Sequence, residues 1–247
     1  MPHLSPFERP AHRAGVALRS FLTASAALAL VMTSTPAGTT PGEAQAKGDG
    51  GWISLFDGKT MAGWHGYQQK TVPAGWQVVD GAITRVGQGG DIVTDREFGD
   101  FELEIEWKVD PVGNSGIFYR ATESTEHIFE NATEMQVLDN VRHPDNKTPL
   151  TLAGANYGLY PAPADAAKPA GEWNAVRIVA KGAHVEHWLN GKQLFAYEMW
   201  SDDWKGRVAK SKFAQWPTYG LSRKGHIGLQ DHGDRVQFRN IRIRPLS

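Results

Sequence analysis

The nine residues Phe101-Glu102-Leu103-Glu104-Ile105-Glu106-Trp107-Lys108-Val109 alternate strictly between apolar and charged side chains. A strand turns successive side chains to opposite faces, so this segment predicts one buried and one wet face, as in an antiparallel sheet packed on one side. Further strands are predicted at Trp52 to Phe56, Trp76 to Val79, Ala82 to Arg85, Ile117 to Ala121, Glu134 to Leu138 and Trp173 to Ala180, with Gly, Asn, Asp and Pro between them. Val185 to Leu189 and Lys192 to Tyr197 flank Asn190-Gly191, a dipeptide that tolerates the positive φ of a tight hairpin turn. In the last strand Val236 and Phe238 share one phase and Ile241 and Ile243 the other, which predicts a bulge near Arg239-Asn240. Many short strands without α crossovers predict an all-β fold, a two-sheet antiparallel β-sandwich. Long irregular stretches are expected at 140–149, 161–171 and 200–223, where a compact domain often carries its function.

The first residues do not read as part of that sandwich. Arg9, Arg13 and Arg19 precede the apolar run Phe21 to Met32, the charged-then-apolar order of an export signal, and twelve residues are too few to span a bilayer comfortably. Residues 1–46 are therefore expected to be a signal peptide and linker, with cleavage after Ala37 or Ala46, and residues 51–247 a single domain. The protein is then secreted or periplasmic, with no membrane association once the signal is removed. Setting residues 1–46 aside moves the formal charge only from −1 to −2, which gives no concentrated basic face for nucleic acid. There is no cysteine, so neither a disulfide nor a lipid-anchored amino terminus is available, and a core must hold the fold.

Two stretches carry polar side chains among strand formers: Asn114-Ser115-Gly116-Ile117-Phe118-Tyr119-Arg120 and Glu134-Met135-Gln136-Val137-Leu138-Asp139. Polar groups repeated on one sheet face suit a sugar site. With Leu55-Phe56-Asp57-Gly58, Gly171-Glu172-Trp173-Asn174, Asn190-Gly191, Ser211-Lys212-Phe213, Gly225-His226-Ile227-Gly228-Leu229-Gln230-Asp231-His232-Gly233 and Phe238-Arg239-Asn240-Ile241, they form an ordered set over residues 51–247. That set resembles the 3-keto-disaccharide hydrolase family. The resemblance implies a concanavalin A-like jelly roll and an exported enzyme that cleaves glycosides whose ring carries a ketone at carbon 3. Such a ketone acidifies the hydrogen on carbon 2, so a base can remove it, the carbon 1 substituent departs by elimination, and water then adds.

This chemistry needs a base, an acid and a group that stabilises an enolate. Glu134 is the first candidate for the base, and Gln136, two residues along the strand, projects to the same side and suits a sugar hydroxyl. Arg120 offers a fork of donors, or else pairs with Glu134 as a structural bridge. His232 offers an imidazole, a side chain suited to acid and base work at neutral pH, and Lys212 is a cation for the enolate; both are also ordinary loop residues. Gln230 is the same-face neighbour of His232 if the strand continues. Asn114 and Asp139 are candidates to bind substrate, though both also suit turns. Tyr157 and Trp216 are candidate stacking platforms, whereas Trp107 belongs to the core. The partners expected are a carbohydrate substrate and a sugar 3-oxidoreductase that makes the ketone.

Other signals carry less. Glu102, Glu104 and Glu106 resemble the paired carboxylates of conventional β-sandwich glycosidases, but their alternation predicts a solvated face. His184, Glu186 and His187 look like a metal cluster, yet His187 points opposite to the other two on a strand. Asn131 and Asn146 fit the glycosylation pattern. No oxygen-ligand spacing is regular enough to assign a divalent ion such as calcium, and no cofactor is assigned. The alternatives are a non-catalytic, lectin-like carbohydrate-binding module and a conventional two-carboxylate glycosidase.

Overall fold

The computed structural model describes residues 49–247; the expected signal peptide lies outside the described residues. Thirteen strands follow in order: β1 Ile53–Ser54, β2 Trp64–Gly66, β3 Trp76–Val79, β4 Ala82–Arg85, β5 Ile92–Thr94, β6 Phe101–Val109, β7 Asn114–Ala121, β8 Thr133–Leu138, β9 Asn174–Lys181, β10 His184–Leu189, β11 Lys192–Glu198, β12 His226–Leu229 and β13 Val236–Pro245. One sheet has the order β11-β10-β9-β6-β13-β4-β3, with β1 also paired to β13; the other has the order β2-β5-β12-β7-β8. All pairings are antiparallel, so the fold is the expected all-β sandwich of jelly-roll type.

The alternation in β6 sets the first sheet. Phe101, Leu103, Ile105, Trp107 and Val109 are buried against Ile117 and Tyr119 of β7 and Met135 and Val137 of β8, which face them from the second sheet. The opposite face of β6 is an ion-pair ladder rather than a simply solvated surface. Glu102 contacts Arg177 and Arg244, Glu104 contacts Arg242, and Glu106 contacts Arg239. The hairpin at Asn190-Gly191 forms as expected, with φ of 52° and 80°. The bulge in β13 shifts the register between Arg239 and Arg242.

Three short strands, β2, β5 and β12, were not among the expected ones. Their runs are too brief for a period to show. The stretch 200–223, expected to be irregular, contains a helix, α1, at Asp202–Ala209. Ser201 caps it by accepting from Trp204 N at 3.2 Å, Asp202 and Asp203 occupy its first turn, and Trp204 is its one buried residue.

Candidate functional site

The outer face of the second sheet is divided. Where β7 meets β12 and β5, it is closed by Tyr67, Val93, Phe118, Ala121, Ile128 and Ala132. Beyond Phe118 the same face turns polar. In register, Phe118 lies opposite Glu134, Gly116 opposite Gln136 and Asn114 opposite Leu138, so Glu134, Gln136 and Asn114 share one face. Gln230, just past β12, donates its N–H to Gly116 O at 3.0 Å and joins them, and Asp91, just before β5, lies beyond it. Glu134 needs the glycine: a Cβ at 116 would stand 2.2 Å from Glu134 Oε1.

These groups are buried without the partners burial demands. Glu134 is 6 % exposed and Gln136 1 % exposed. Gln136 Oε1 and Nε2, Asn114 Oδ1 and Gln230 Oε1 find no hydrogen-bond partner among the described residues. Native proteins rarely leave such atoms unsatisfied, so a cluster of them on one face marks a candidate site for a polar ligand. Desolvation pushes the Glu134 carboxyl up to about 8, against the Lys212 charge, with Asp91 and Asp145 adding like charge. Burial likewise pushes Asp91 up to about 6, against the Asp231 N–H that donates to it at 2.8 Å.

A wall closes the site on the β8 side. Tyr157 follows β8 backwards, its N–H donating to Glu134 O at 3.0 Å, and its hydroxyl donates to Asp145 Oδ2 at 2.9 Å. Lys212 Nζ stands 4.4 Å from the Tyr157 ring centroid, between Phe213 and Phe129. Trp216 meets Phe129 edge-on at 5.4 Å. On the opposite side, Asp231 fixes the segment that carries Asp91. It accepts from Arg85 Nε at 2.6 Å, Gly89 N at 3.0 Å and Gly90 N at 3.1 Å.

The structure thus brings together Glu134, Gln136, Asn114, Gln230, Lys212, Tyr157 and Trp216. His232 stands exposed at the Asn114 end, its Nε2 3.5 Å from Asn114 Nδ2. Two candidates lie elsewhere. Arg120 would share the Glu134 face by simple alternation, but a bulge between β7 and β12 gives it a φ of 53° and turns it away. Its guanidinium donates to Gly99 O, Gly182 O and Asp100 Oδ1 at 2.9, 2.9 and 3.0 Å, and it forms no bridge to Glu134. Asp139 is a turn residue: burial pushes its carboxyl up, but the N–H groups of Val112, Val141 and Arg142 hold it below the ordinary range.

Sequence reasoning missed Asp91, Asp145 and Phe129. Asp91 follows two glycines and reads as a turn; only the register through β12 places it beside the site. Of the demoted signals, His187 is buried, donating Nδ1–H to Gly154 O and accepting from Tyr119 at Nε2, and burial lowers it to about 4. Asn131 is also buried, donating to Tyr67 and Thr125 side chains, so it is closed to a glycan.

A separate groove of about 830 Å³ crosses the outer face of the first sheet, lined by Trp52, Glu104, Glu106, Arg177, Trp188 and Arg242. Its two glutamates are each engaged by an arginine at 2.7 Å or less. A carboxylate held this way is neither a free acid nor a free base, which leaves the glutamates of β6 without the role that a two-carboxylate glycosidase needs.

The sequence profile of the 3-keto-alpha-glucoside-1,2-lyase-like domain matches residues 51–244. A protein of Bacteroides thetaiotaomicron named 3-keto-disaccharide hydrolase is 40% identical over 229 residues, covering 80% of this chain and 79% of that one. Two crystal structures from Parabacteroides distasonis, both provisionally named glycosyl hydrolases, are also similar. One is 36% identical with a TM-score of 0.75 over 80% of this chain and 94% of its own. The other is 32% identical with a TM-score of 0.64 over 79% and 99%. The chain belongs to the 3-keto-alpha-glucoside-1,2-lyase-like family, as its ordered motifs led us to expect.

Proposed function

We propose that this protein cleaves glycosides, and specifically those whose sugar ring carries a ketone at carbon 3. The observation that carries the reading is Glu134, a buried carboxyl raised to about 8, beside amide groups that lack partners and opposite Lys212. A base of that strength suits removal of a weakly acidic hydrogen from carbon 2. The electron pair of the C–H bond moves into the enolate, whose negative oxygen Lys212 and an amide of Gln136 or Gln230 stabilise. The enolate collapses, the bond from carbon 1 to the leaving oxygen breaks, and Asp91, raised to about 6, gives that oxygen its proton. Water then adds across the new double bond, its hydroxyl to carbon 1 and its proton to carbon 2. The names of the relatives support glycoside cleavage, and the family name supports the 3-keto substrate.

The charged-then-apolar order of residues 1–46 supports export, and a sugar 3-oxidoreductase would supply the ketone. The purified protein should release the aglycone from a chromogenic 3-keto-glucoside and leave the ordinary glucoside intact. Equal cleavage of both, or of the ordinary glucoside alone, would overturn the elimination chemistry. Activity recovered from the cytoplasmic fraction alone would overturn export.

A further inference from the structure

At the Asn114 end of the polar face, three side chains from two loops converge. His143 follows β8, His232 and Asp234 precede β13, and their ligand-type atoms lie within 4.8 Å of one another. The two imidazole rings meet edge-on at 6.2 Å. Asn114 supplies an independent sign of a ligand here. It is 2 % exposed, its amide is directed at His232 Nε2 from 3.5 Å, and its Oδ1 has no partner among the described residues. Its own N–H donates to Asp234 Oδ2 at 3.1 Å, which draws the carboxylate toward the same point.

We propose that His143, His232 and Asp234 bind a divalent first-row transition metal ion at the mouth of the Glu134 site. Two imidazoles and one carboxylate on one side of an ion leave its other positions open for substrate oxygen. The donor set suits zinc, manganese or cobalt. It does not suit calcium, which takes six to eight oxygen ligands. Each histidine must offer a lone pair. That of His143 Nδ1 now accepts Asp145 N–H at 3.0 Å, so coordination through Nδ1 exchanges this hydrogen bond for the metal. Half a turn of the Asn114 amide brings Oδ1 toward the ion, and an amide oxygen is a competent fourth ligand. The existence of the site stands on this geometry. Its task, holding the carbon 3 ketone oxygen or a neighbouring hydroxyl as charge develops, rests on the reading of Glu134 given above.

The full-length chain, stripped with EDTA, should bind one equivalent of Co²⁺ with a visible absorption spectrum of nitrogen ligation, and Zn²⁺ should displace it. His143→Ala and His232→Ala should each weaken Co²⁺ binding by at least about tenfold, while unfolding in EDTA at the wild-type temperature. Binding only at millimolar Co²⁺, or equal binding by both variants, overturns the site. With Co²⁺ binding intact, 3-keto-glucoside cleavage that is indifferent to EDTA overturns its placement over the sugar. An absence of cleavage under all metal loadings, with binding intact, overturns the reading of Glu134 and leaves the metal site standing.

Discussion

The carboxyl of Glu134 rests on the backbone of Gly116, with no room for even a methyl group between them: a Cβ at 116 would lie 2.2 Å from Oε1 and 2.7 Å from the carboxyl carbon. Gly116 has no positive φ to explain it, so its smallness serves the neighbouring strand rather than its own backbone. The glycine lets a charged side chain lie flat on a sheet, where Gln136 and Gln230 flank it.

Gly116→Ala should therefore move the carboxyl without unfolding the sheet. Overpacking should cost about 1–3 kcal/mol of stability. Because a displacement of about 1 Å at a reacting group costs about a hundredfold in rate, kcat on a 3-keto-glucoside should fall by roughly that factor. Circular dichroism should match the wild type. Full activity in this variant would mean that the Glu134 position is not critical.

The two raised carboxyls predict a bell-shaped dependence of kcat/KM on pH, with limbs near 6 and 8. The bell alone does not say which group is the base. Asp91→Asn does: with Glu134 as base, the residual rate should rise with pH through a single limb. That limb should sit below 8, because the like charge of Asp91 no longer opposes ionisation of Glu134. A residual rate that instead falls with rising pH would make Glu134 the acid.

The fold was legible because its information is periodic. The alternation in Phe101–Val109, the Asn190-Gly191 turn and the phase change near Arg239 each dictate a backbone shape from a few residues. The polar face was legible for the same reason, since Glu134 and Gln136 are two apart on one strand. Arg120 was misplaced where periodicity fails: one extra residue opposite β12 reverses its side. Asp91 was invisible because its neighbours in space are strands 25 or more residues away in sequence, and no local pattern encodes a cross-sheet register.

Arg120 tests that distinction between a site residue and a structural one. Its guanidinium ties the start of β6 to the turn between β9 and β10 through Gly99, Asp100 and Gly182, and Trp200 stacks near it at 5.7 Å. Arg120→Met should leave those acceptors unpaired and cost about 2–4 kcal/mol, read as a lower midpoint in urea unfolding. At low temperature, where the variant is folded, kcat should stay within about threefold of wild type. A hundredfold loss at unchanged stability would return Arg120 to the reacting groups.

Glu134 also couples function to stability in a direction that can be worked out. Its folded carboxyl titrates near 8 and its unfolded one near the ordinary 4.5, so between these values the folded chain holds a proton that the unfolded chain releases. Folding stability from this group is full below about 4.5 and is lost as pH rises toward 8, at up to about 1.4 kcal/mol per pH unit. Glu134→Gln has no proton to lose. It should match the wild type in stability near pH 5 and exceed it increasingly by pH 8, while its cleavage of a 3-keto-glucoside is abolished at both. Thermal unfolding of the pair across that range measures the difference. Parallel curves would mean that the folded carboxyl titrates near its ordinary value, and a strong base on this face would then have to be another group.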